Sequence, residues 1–232
     1  SLVGSEMCIR DRLTGVCIGL LGLMSDFGTA LIFFVAFLCI AFLRTGDLPS
    51  IVMITAAAGF AGGIVLRFKP YVLARFAVWR HAWEYAQEEG YQQTRTMSAV
   101  ASGRLFGAGP EEAWLKYVGA ANTDLVFGVV SEEFGLLLAL CAAAAVILLG
   151  IYALRAAGRS RSSFYAIAAC ATAAMLVFQT TLNVLGSVDL LPLTGVTFPF
   201  VSMGGSSMLS CWGLLAYLQA AAPPPVSVKA AP

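Results

Sequence analysis

The sequence predicts an all-α, polytopic transmembrane helix bundle with about five full spans, part of a sixth, and one large extracellular loop. The 232 residues are 59% apolar and only 12% charged, whereas soluble domains usually carry about a quarter charged residues. Of the 27 formal charges, 15 lie between Arg67 and Glu133. Outside that stretch, long uncharged windows match the ~20 residues that a helix needs to cross a bilayer core of about 30 Å.

The N-terminal residues do not belong to this pattern. Residues 1–12, SLVGSEMCIRDR, lack the apolar region and small-residue cleavage site of a signal peptide. They resemble the translation of a sequencing adapter and are interpreted as a non-native segment, so the fold is predicted from Leu13 onward. The short apolar window 13–25 is interpreted as the remnant of a span.

Uncharged windows in the rest of the chain predict five full spans. They lie at 27–43, 48–66, 134–154, 162–188 and 190–228. The last window contains Pro192 and Pro199 and a run of three prolines near its end. Because proline disfavours helix interiors, this window is interpreted as a loop, one span and a tail over 220–232. The predicted membrane region therefore covers 13–219.

The distribution of arginine predicts the orientation of the bundle. The loop around 155–163 contains three arginines and no acid, which is typical of the cytoplasmic side. Counting spans from it puts the tail with Lys229 in the cytoplasm, and Asp26, the loop of about 68–123 and the loop 186–199 outside. The long loop is rich in basic residues, but long loops translocate largely regardless of charge.

An amphipathic helix is predicted within the long loop. Apolar and tryptophan side chains recur at helical spacing over 71–89. Tryptophans on one face suit the headgroup region of a membrane, and packing against the rest of the loop is an equally good interpretation.

Composition and motifs exclude several classes of function. A net charge of +1 excludes a strongly basic nucleic-acid-binding protein, so membrane lipids and no nucleic acid are the expected contacts. The six cysteines show no C-x-x-C or C-x-x-H spacing, and a zinc site or disulfide framework is not supported. His81 is the single histidine and no G-x-S-x-G occurs, which leaves hydrolase chemistry without support.

Carboxylates at the edges of spans are the first candidates for function, because a buried charge near a membrane is costly unless it is paired or hydrated. Asp124 is one, although an acid near a helix start also suits a capping role. Asp124, Gly128, Ser131 and Gly135 form a small-residue stripe, which predicts either close approach of another helix or a groove for a long ligand. The other candidates are Asp26, Glu132, Glu133 and Asp189, of which Asp26, Glu132 and Glu133 are interpreted as structural or supporting groups.

Two glycine-rich stretches, 101–109 and 201–208, lack the Lys-Ser/Thr ending of a P-loop. The second would open a helix on the outer face. Its amides and serines are therefore candidates for receiving a phosphate, and simple helix capping by a serine is the alternative.

Four stretches together resemble the SEDS family (shape, elongation, division and sporulation), the RodA and FtsW type of membrane glycosyltransferase. They occur in the family's order and spacing: SDFGTALIFF at 25–34, GYQQTRTMSAVASGRLFGAG at 90–109, TDLVFGVVSEEFGL at 123–136 and NVLGSVDLLPLTGVTFPFVSMGGSS at 183–207.

The resemblance implies a peptidoglycan glycosyltransferase that polymerises lipid II at the outer face of the bacterial cytoplasmic membrane, for elongation or division, beside a class B penicillin-binding transpeptidase. The family's essential aspartate corresponds to Asp124, which is implied as a general base or as the organiser of a divalent cation, Mg²⁺ or Mn²⁺. No other cofactor is expected. The candidates for binding substrate or its diphosphate are Arg75, Arg80, Arg95, Asn183, Thr194, Ser202, Gly204, Gly205 and Ser206.

The chain also departs from the family pattern. Arg104 stands where a second glycine is usual, and Met203 stands where tyrosine is common. Family members typically have ten spans, so the chain is expected to be an N-terminally truncated fragment that is inactive alone. The alternatives are a lipid-precursor flippase or transporter, with Asp26, Asp124 and Glu132 as ion or headgroup sites, and a non-catalytic membrane scaffold.

Overall fold

The computed structural model describes residues 26–68, 70–160 and 162–221. All regular secondary structure within these ranges is helical, which confirms the predicted class. A 3₁₀ turn, η1, covers Leu115–Tyr117. The α-helices in chain order are α1 (Phe27–Thr45), α2 (Leu48–Phe68), α3 (Pro70–Val78), α4 (Tyr91–Gly103), α5 (Val126–Phe134), α6 (Leu136–Ala157), α7 (Ser163–Ser187) and α8 (Gly205–Ala221).

Three of these helices, α1, α6 and α7, are long and apolar enough to cross a membrane. The apolar part of α2, Leu48–Gly63, is shorter, and α8 has 17 residues. All five helices lie in the windows predicted to contain spans, and the count of five full spans stays a prediction. The segments 1–12 and 13–25 and most of the tail lie outside the described residues.

Helix α7 is the centre of the bundle, with α6 along one side and α1 along another. Buried residues on α6 recur every three or four positions at the contact with α7, and all but one of this set are small: Ala139, Ala143, Val146, Gly150, Ala153 and Ala157. A Cβ added at Gly150 would lie 2.7 Å from Cγ2 of Val177. Small residues allow two apolar helices to approach closely, which is how helices associate where lipid competes for apolar contact.

The start of α1, the end of α7 and the start of α8 meet at one end of the bundle. Asp26 caps α1, because its Oδ1 accepts a hydrogen bond of 3.1 Å from the Thr29 N–H. Gly28 packs so closely on Thr194 and Val196 that a Cβ would not fit. The segment 188–204, which we call the return loop, therefore lies against the beginning of α1.

The predicted helix over 71–89 is wrong in its length. Helix α3 ends at Val78, and residue Arg80 has a φ of 64°, which a right-handed helix cannot contain. The chain leaves the helix where it meets the return loop: the Trp79 indole N–H donates to the Leu190 carbonyl, and the Arg80 N–H donates to Oδ1 of Asp189. These contacts join residues about 110 positions apart and replace the continuation of the helix.

The small-residue stripe is covered by α4 and the loop that follows it. A Cβ added at Gly128 would meet the side chains of Thr96 and Leu115, and Gly103 of α4 packs on the Ser131 carbonyl. Of the two interpretations, close approach of a helix is therefore correct. Gly135, with φ 94° and ψ 157°, separates α5 from α6, so the span begins at Leu136 rather than near Asp124.

Candidate functional site

Asp124 lies in the turn just before α5, at the end of the bundle where the return loop folds back. Its backbone N–H donates to the Ala120 carbonyl at 3.0 Å, and its side chain is half-buried. The helix is capped by Leu125 without a side-chain hydrogen bond. The capping role that the sequence also allowed for Asp124 is therefore wrong, and its carboxylate is not used to hold the helix start.

Asn183 joins Asp124 to the return loop. This buried side chain, in the last turns of α7, donates from Nδ2 to the Asp124 carbonyl at 2.9 Å and to the Val196 carbonyl at 2.7 Å. Its Oδ1 is buried and has no hydrogen-bond partner. This one amide thus connects α7 to the turn that contains Asp124 and to the return loop. It also supplies the donors that the two buried carbonyl groups need.

Ser202 makes a second connection between the same segments. Its hydroxyl donates to the Thr123 carbonyl at 2.6 Å and accepts from the Phe198 N–H at 2.7 Å. The Met203 N–H donates to the Asn122 carbonyl at 2.8 Å. The backbone just before Asp124 is therefore fixed to residues near the start of α8.

Arg75 of α3 stands beside the Asp124 carboxylate. Its Nη1 donates to the Leu193 carbonyl at 2.9 Å. Gly195, with φ +72°, lies against both groups: a Cβ there would be 3.2 Å from Oδ2 of Asp124 and 3.7 Å from Nη1 of Arg75. Glycine is required at this position by its backbone conformation and by the space that the two charged groups occupy.

Burial is the largest effect on the Asp124 carboxyl and raises its pKa above the ordinary value of an aspartate. The Thr123 hydroxyl and the Arg75 guanidinium act in the opposite direction, while the negative charge of Asp26 raises the pKa further. A carboxylate with a raised pKa accepts a proton more readily, which is the property that a general base needs.

A cavity of about 700 Å³ opens next to Arg75, between α3 and the start of α4. Arg75 and Leu193 belong both to its wall and to the surroundings of Asp124. The remaining lining residues are Ala74, Val78, Glu88, Glu89, Tyr91, Gln92 and Gln93. Its volume lies within the range of about 300–1,000 Å³ that is common for ligand sites.

The structure brings only some of the predicted binding residues to this site. Thr194 lies in the return loop beside the start of α1, and Gly204 packs on Thr197 and Ser207. Gly205 and Ser206 open α8 and are exposed. Arg80 contributes its backbone N–H to Asp189.

Arg95 is occupied with aromatic rings. Its guanidinium lies over Tyr91 and Trp114, at 5.2 and 5.9 Å from the ring centroids. This contact stabilises the packing of α4 on η1. The Arg95 guanidinium, a candidate for binding the diphosphate, therefore packs on aromatic rings instead.

The two neighbouring glutamates have different surroundings. Glu132 is buried, and its carboxylate accepts hydrogen bonds from the Trp114 and Leu115 N–H groups at 3.2 and 2.9 Å. These are the first donors of η1, so Glu132 acts as its cap. Glu133 is half-buried, and its carbonyl accepts from the Gly109 N–H.

A metal centre built from protein ligands is not present in the described part of the chain, where no three His, Cys, Asp or Glu residues come together. Asp26 and Asp124 are two carboxylates whose charges interact. Mg²⁺ is usually bound by one or two carboxylates together with substrate phosphates, and Asp26 and Asp124 are the carboxylates that would bind it here.

Sequence reasoning missed the amides that hold the return loop. Gln93 of α4 is buried and donates to the Gly186 carbonyl and to Oδ1 of Asp189, at 3.0 and 2.9 Å. Gln179 of α7 donates to the carbonyl and the hydroxyl of Thr197, at 3.0 Å each. For Gln179 the available signal was its position in an otherwise apolar span, where a polar side chain needs a partner; Gln93, in the long loop, carried no such signal.

The fold and this site define the chain as an all-helical membrane protein with a polar, carboxylate-centred site at one end of its bundle. A family model described as "Cell cycle protein", FtsW/RodA/SpoVE, matches residues 5–223. The chain belongs to this family, which is the SEDS family.

Individual relatives agree with this membership. The chain is 32% identical over 209 residues to a protein of Coxiella burnetii named probable peptidoglycan glycosyltransferase FtsW, covering 85% of this chain and 54% of the relative. It is 34% identical over 196 residues to the peptidoglycan glycosyltransferase RodA of Mycobacterium leprae, covering 83% and 42%. The chain thus spans about half the length of the curated relatives it matches.

A solved structure is also similar. It belongs to a study of the structural coordination of polymerization and crosslinking by a peptidoglycan synthase complex. The match has a TM-score of 0.69 and 25% identity, and it covers 90% of this chain and 59% of the solved chain.

Proposed function

We propose that the protein containing this chain is a peptidoglycan glycosyltransferase that polymerises lipid II, with Asp124 as the general base. The observation that carries the proposal is the arrangement of the Asp124 carboxylate. Asp124 is half-buried, and its backbone carbonyl is held by Asn183. Its carboxylate lies beside Arg75, which lines a cavity of about 700 Å³. The names of the family relatives support the chemistry.

The reaction follows from the proton balance at this carboxylate. Asp124 accepts the proton of the attacking sugar hydroxyl, whose oxygen forms the new bond to the anomeric carbon of the donor sugar. The bond from that carbon to the diphosphate oxygen breaks, and its electron pair leaves on undecaprenyl diphosphate. Direct displacement of this kind inverts the anomeric centre, and the proton stays on Asp124 until solvent removes it.

Arg75 has two roles in this proposal. Its positive charge opposes the effect of burial on the pKa of Asp124 and so favours the ionised carboxylate. As the guanidinium shared by Asp124 and the cavity, it is also the first candidate for stabilising the leaving diphosphate, because arginine matches phosphate oxygens in a bidentate geometry.

Orientation and partner form part of the same proposal. The enzyme lies in the bacterial cytoplasmic membrane with its outer loop, about 68–123, and Asp124 on the outer face, and its C-terminus in the cytoplasm. It works beside a class B penicillin-binding transpeptidase. The similarity to a peptidoglycan synthase complex that couples polymerization and crosslinking supports this pairing.

The test is lipid II polymerisation by the full-length protein, purified with its cognate transpeptidase. Wild type is compared with Asp124→Asn and with Glu111→Gln, an exposed acid of the same loop. Glycan strands from wild type and the control but not from Asp124→Asn support the proposal. Strands from all three remove Asp124 from the mechanism, and lipid II transport without strands would make the protein a flippase.

A further inference from the structure

A groove along the C-terminal half of α4 has no part in the proposed function. It has a volume of about 490 Å³ and lies between α4, the start of α6 and the residue after α7. Its lining is almost wholly apolar, and among the described residues that form it Arg104 carries the only charge. The lining residues are Met97, Val100, Ala101, Arg104, Leu105, Leu136 and Val188.

The groove lies at the head of a candidate membrane span. The Leu136 N–H donates to the Arg104 carbonyl at 2.9 Å, and the Leu137 N–H donates to the Leu105 carbonyl at 3.3 Å. These bonds attach the loop after α4 to the first turn of α6. The first turn of a spanning helix lies near the headgroups, so the groove opens at the boundary between acyl chains and headgroups.

The surface around the groove continues the apolar surface of α6. Leu137 and Leu138 on the first turn of the span are 54% and 47% exposed, and on the loop Leu105 and Phe106 are 57% and 84% exposed. A contiguous apolar surface at the end of a span contacts lipid. The occupant of the groove must therefore be a molecule that reaches it from the bilayer.

The positive charge of Arg104 favours a lipid whose headgroup is anionic. Its side chain is exposed at the groove, and its backbone is fixed by the hydrogen bond to Leu136. A guanidinium at headgroup depth binds phosphate oxygens through two parallel N–H bonds, while its aliphatic part stays against apolar surface.

We propose that this groove binds a glycerophospholipid with an anionic headgroup from the leaflet that faces it. One acyl chain lies against the wall formed by Val100, Leu105 and Leu136, and the phosphate is held by Arg104. The site is a feature of this chain's own residues, because the charge comes from a position where the family resemblance leads to glycine.

The test is lipid retention by the full-length protein, measured by native mass spectrometry after titration with phosphatidylglycerol or with phosphatidylcholine of the same acyl chains. Wild type is expected to bind phosphatidylglycerol about tenfold or more tightly than Arg104→Gln does, since a charge-assisted pair is lost. Arg159→Gln removes the same charge from an exposed position after α6 and is expected to bind as wild type.

Ala101→Trp is a second variant, which fills the groove and leaves Arg104 in place. It is expected to reduce binding of both lipids. Equal retention by wild type and Arg104→Gln, or equal affinity for the two headgroups, would overturn the proposal. So would a loss in Arg104→Gln of undecaprenyl diphosphate binding with unchanged phosphatidylglycerol binding, which would assign the groove to the lipid-linked substrate.

Discussion

Replacing Asn183 by leucine tests whether one buried amide holds the candidate site together. Leucine has a similar size, so the change removes the two hydrogen bonds to the Asp124 and Val196 carbonyls without opening a large cavity. Two stranded carbonyls cost about 2–6 kcal/mol, at about 1–3 kcal/mol each. Removing Oδ1, which already lacks a partner, offsets about 1–3 kcal/mol of that cost. We expect a net loss of about 1–3 kcal/mol.

The assay is thermal unfolding of the purified full-length protein in detergent, followed by lipid II polymerisation at a temperature where both forms are folded. Thr180→Val is the matched control, because Thr180 is equally buried on α7 and its hydroxyl bonds only to the Leu176 carbonyl of the same helix. Polymerisation by Asn183→Leu should fall well below that of the control. An Asn183→Leu protein with wild-type unfolding and wild-type activity would refute the role of Asn183.

Four further predictions follow from the same geometry. Asp124→Asn should raise thermal stability at neutral pH: a carboxyl whose folded pKa is raised stabilises the fold only while protonated and loses that contribution as pH rises through the folded pKa. The difference should vanish in acid, and a variant no more stable than wild type at pH 7 would contradict it. Arg75→Gln should move the acidic limb of the polymerisation pH profile to higher pH, and Asp26→Asn to lower pH, since their charges act oppositely on Asp124; shifts of the same sign would contradict the reasoning. Glu132→Gln should cost about 1–3 kcal/mol of stability by weakening the two-donor cap of η1, against a near-neutral Glu133→Gln in the same denaturation assay. Gly195→Ala should cost about 1–3 kcal/mol through its positive φ and lower kcat, whereas Gly205→Ala, with open space around it, should do neither.

The sequence predicts the helical framework well because a bilayer places one simple requirement on a spanning helix. A span needs a long uncharged window, and such windows coincide with α1, α6 and α7. Periodicity is less reliable outside the membrane. The pattern over 71–89 continues past Val78, but contacts of Trp79 and Arg80 with the return loop end the helix, and nothing local in the sequence contains those partners.

The candidate site is also only partly predictable from local sequence. Asp124 is visible in the sequence as a carboxylate at the edge of a span, but its neighbours are assembled by long-range folding. Asn183 lies 59 residues away and Arg75 lies on a helix that precedes it by about 50 positions. The position of Gly195 against both charges depends on its backbone conformation in the folded protein, and a lone glycine in a loop carries no such information.

The break at Gly135 separates α6, the helix that spans the membrane, from α5, the helix that begins just after Asp124. Helix α6 must follow the bilayer, and its tilt changes with the thickness of the surrounding lipid. If α5 continued into α6 as one rigid rod, each change of tilt would displace the turn that contains Asp124. Gly135, whose φ of 94° interrupts the helix, removes that rigid connection, and α5 packs on α4 and η1. The hydrogen bonds from the first turn of α6 to the Arg104 and Leu105 carbonyls remain, so we expect a change in the tilt of α6 to reach Asp124 only in weakened form.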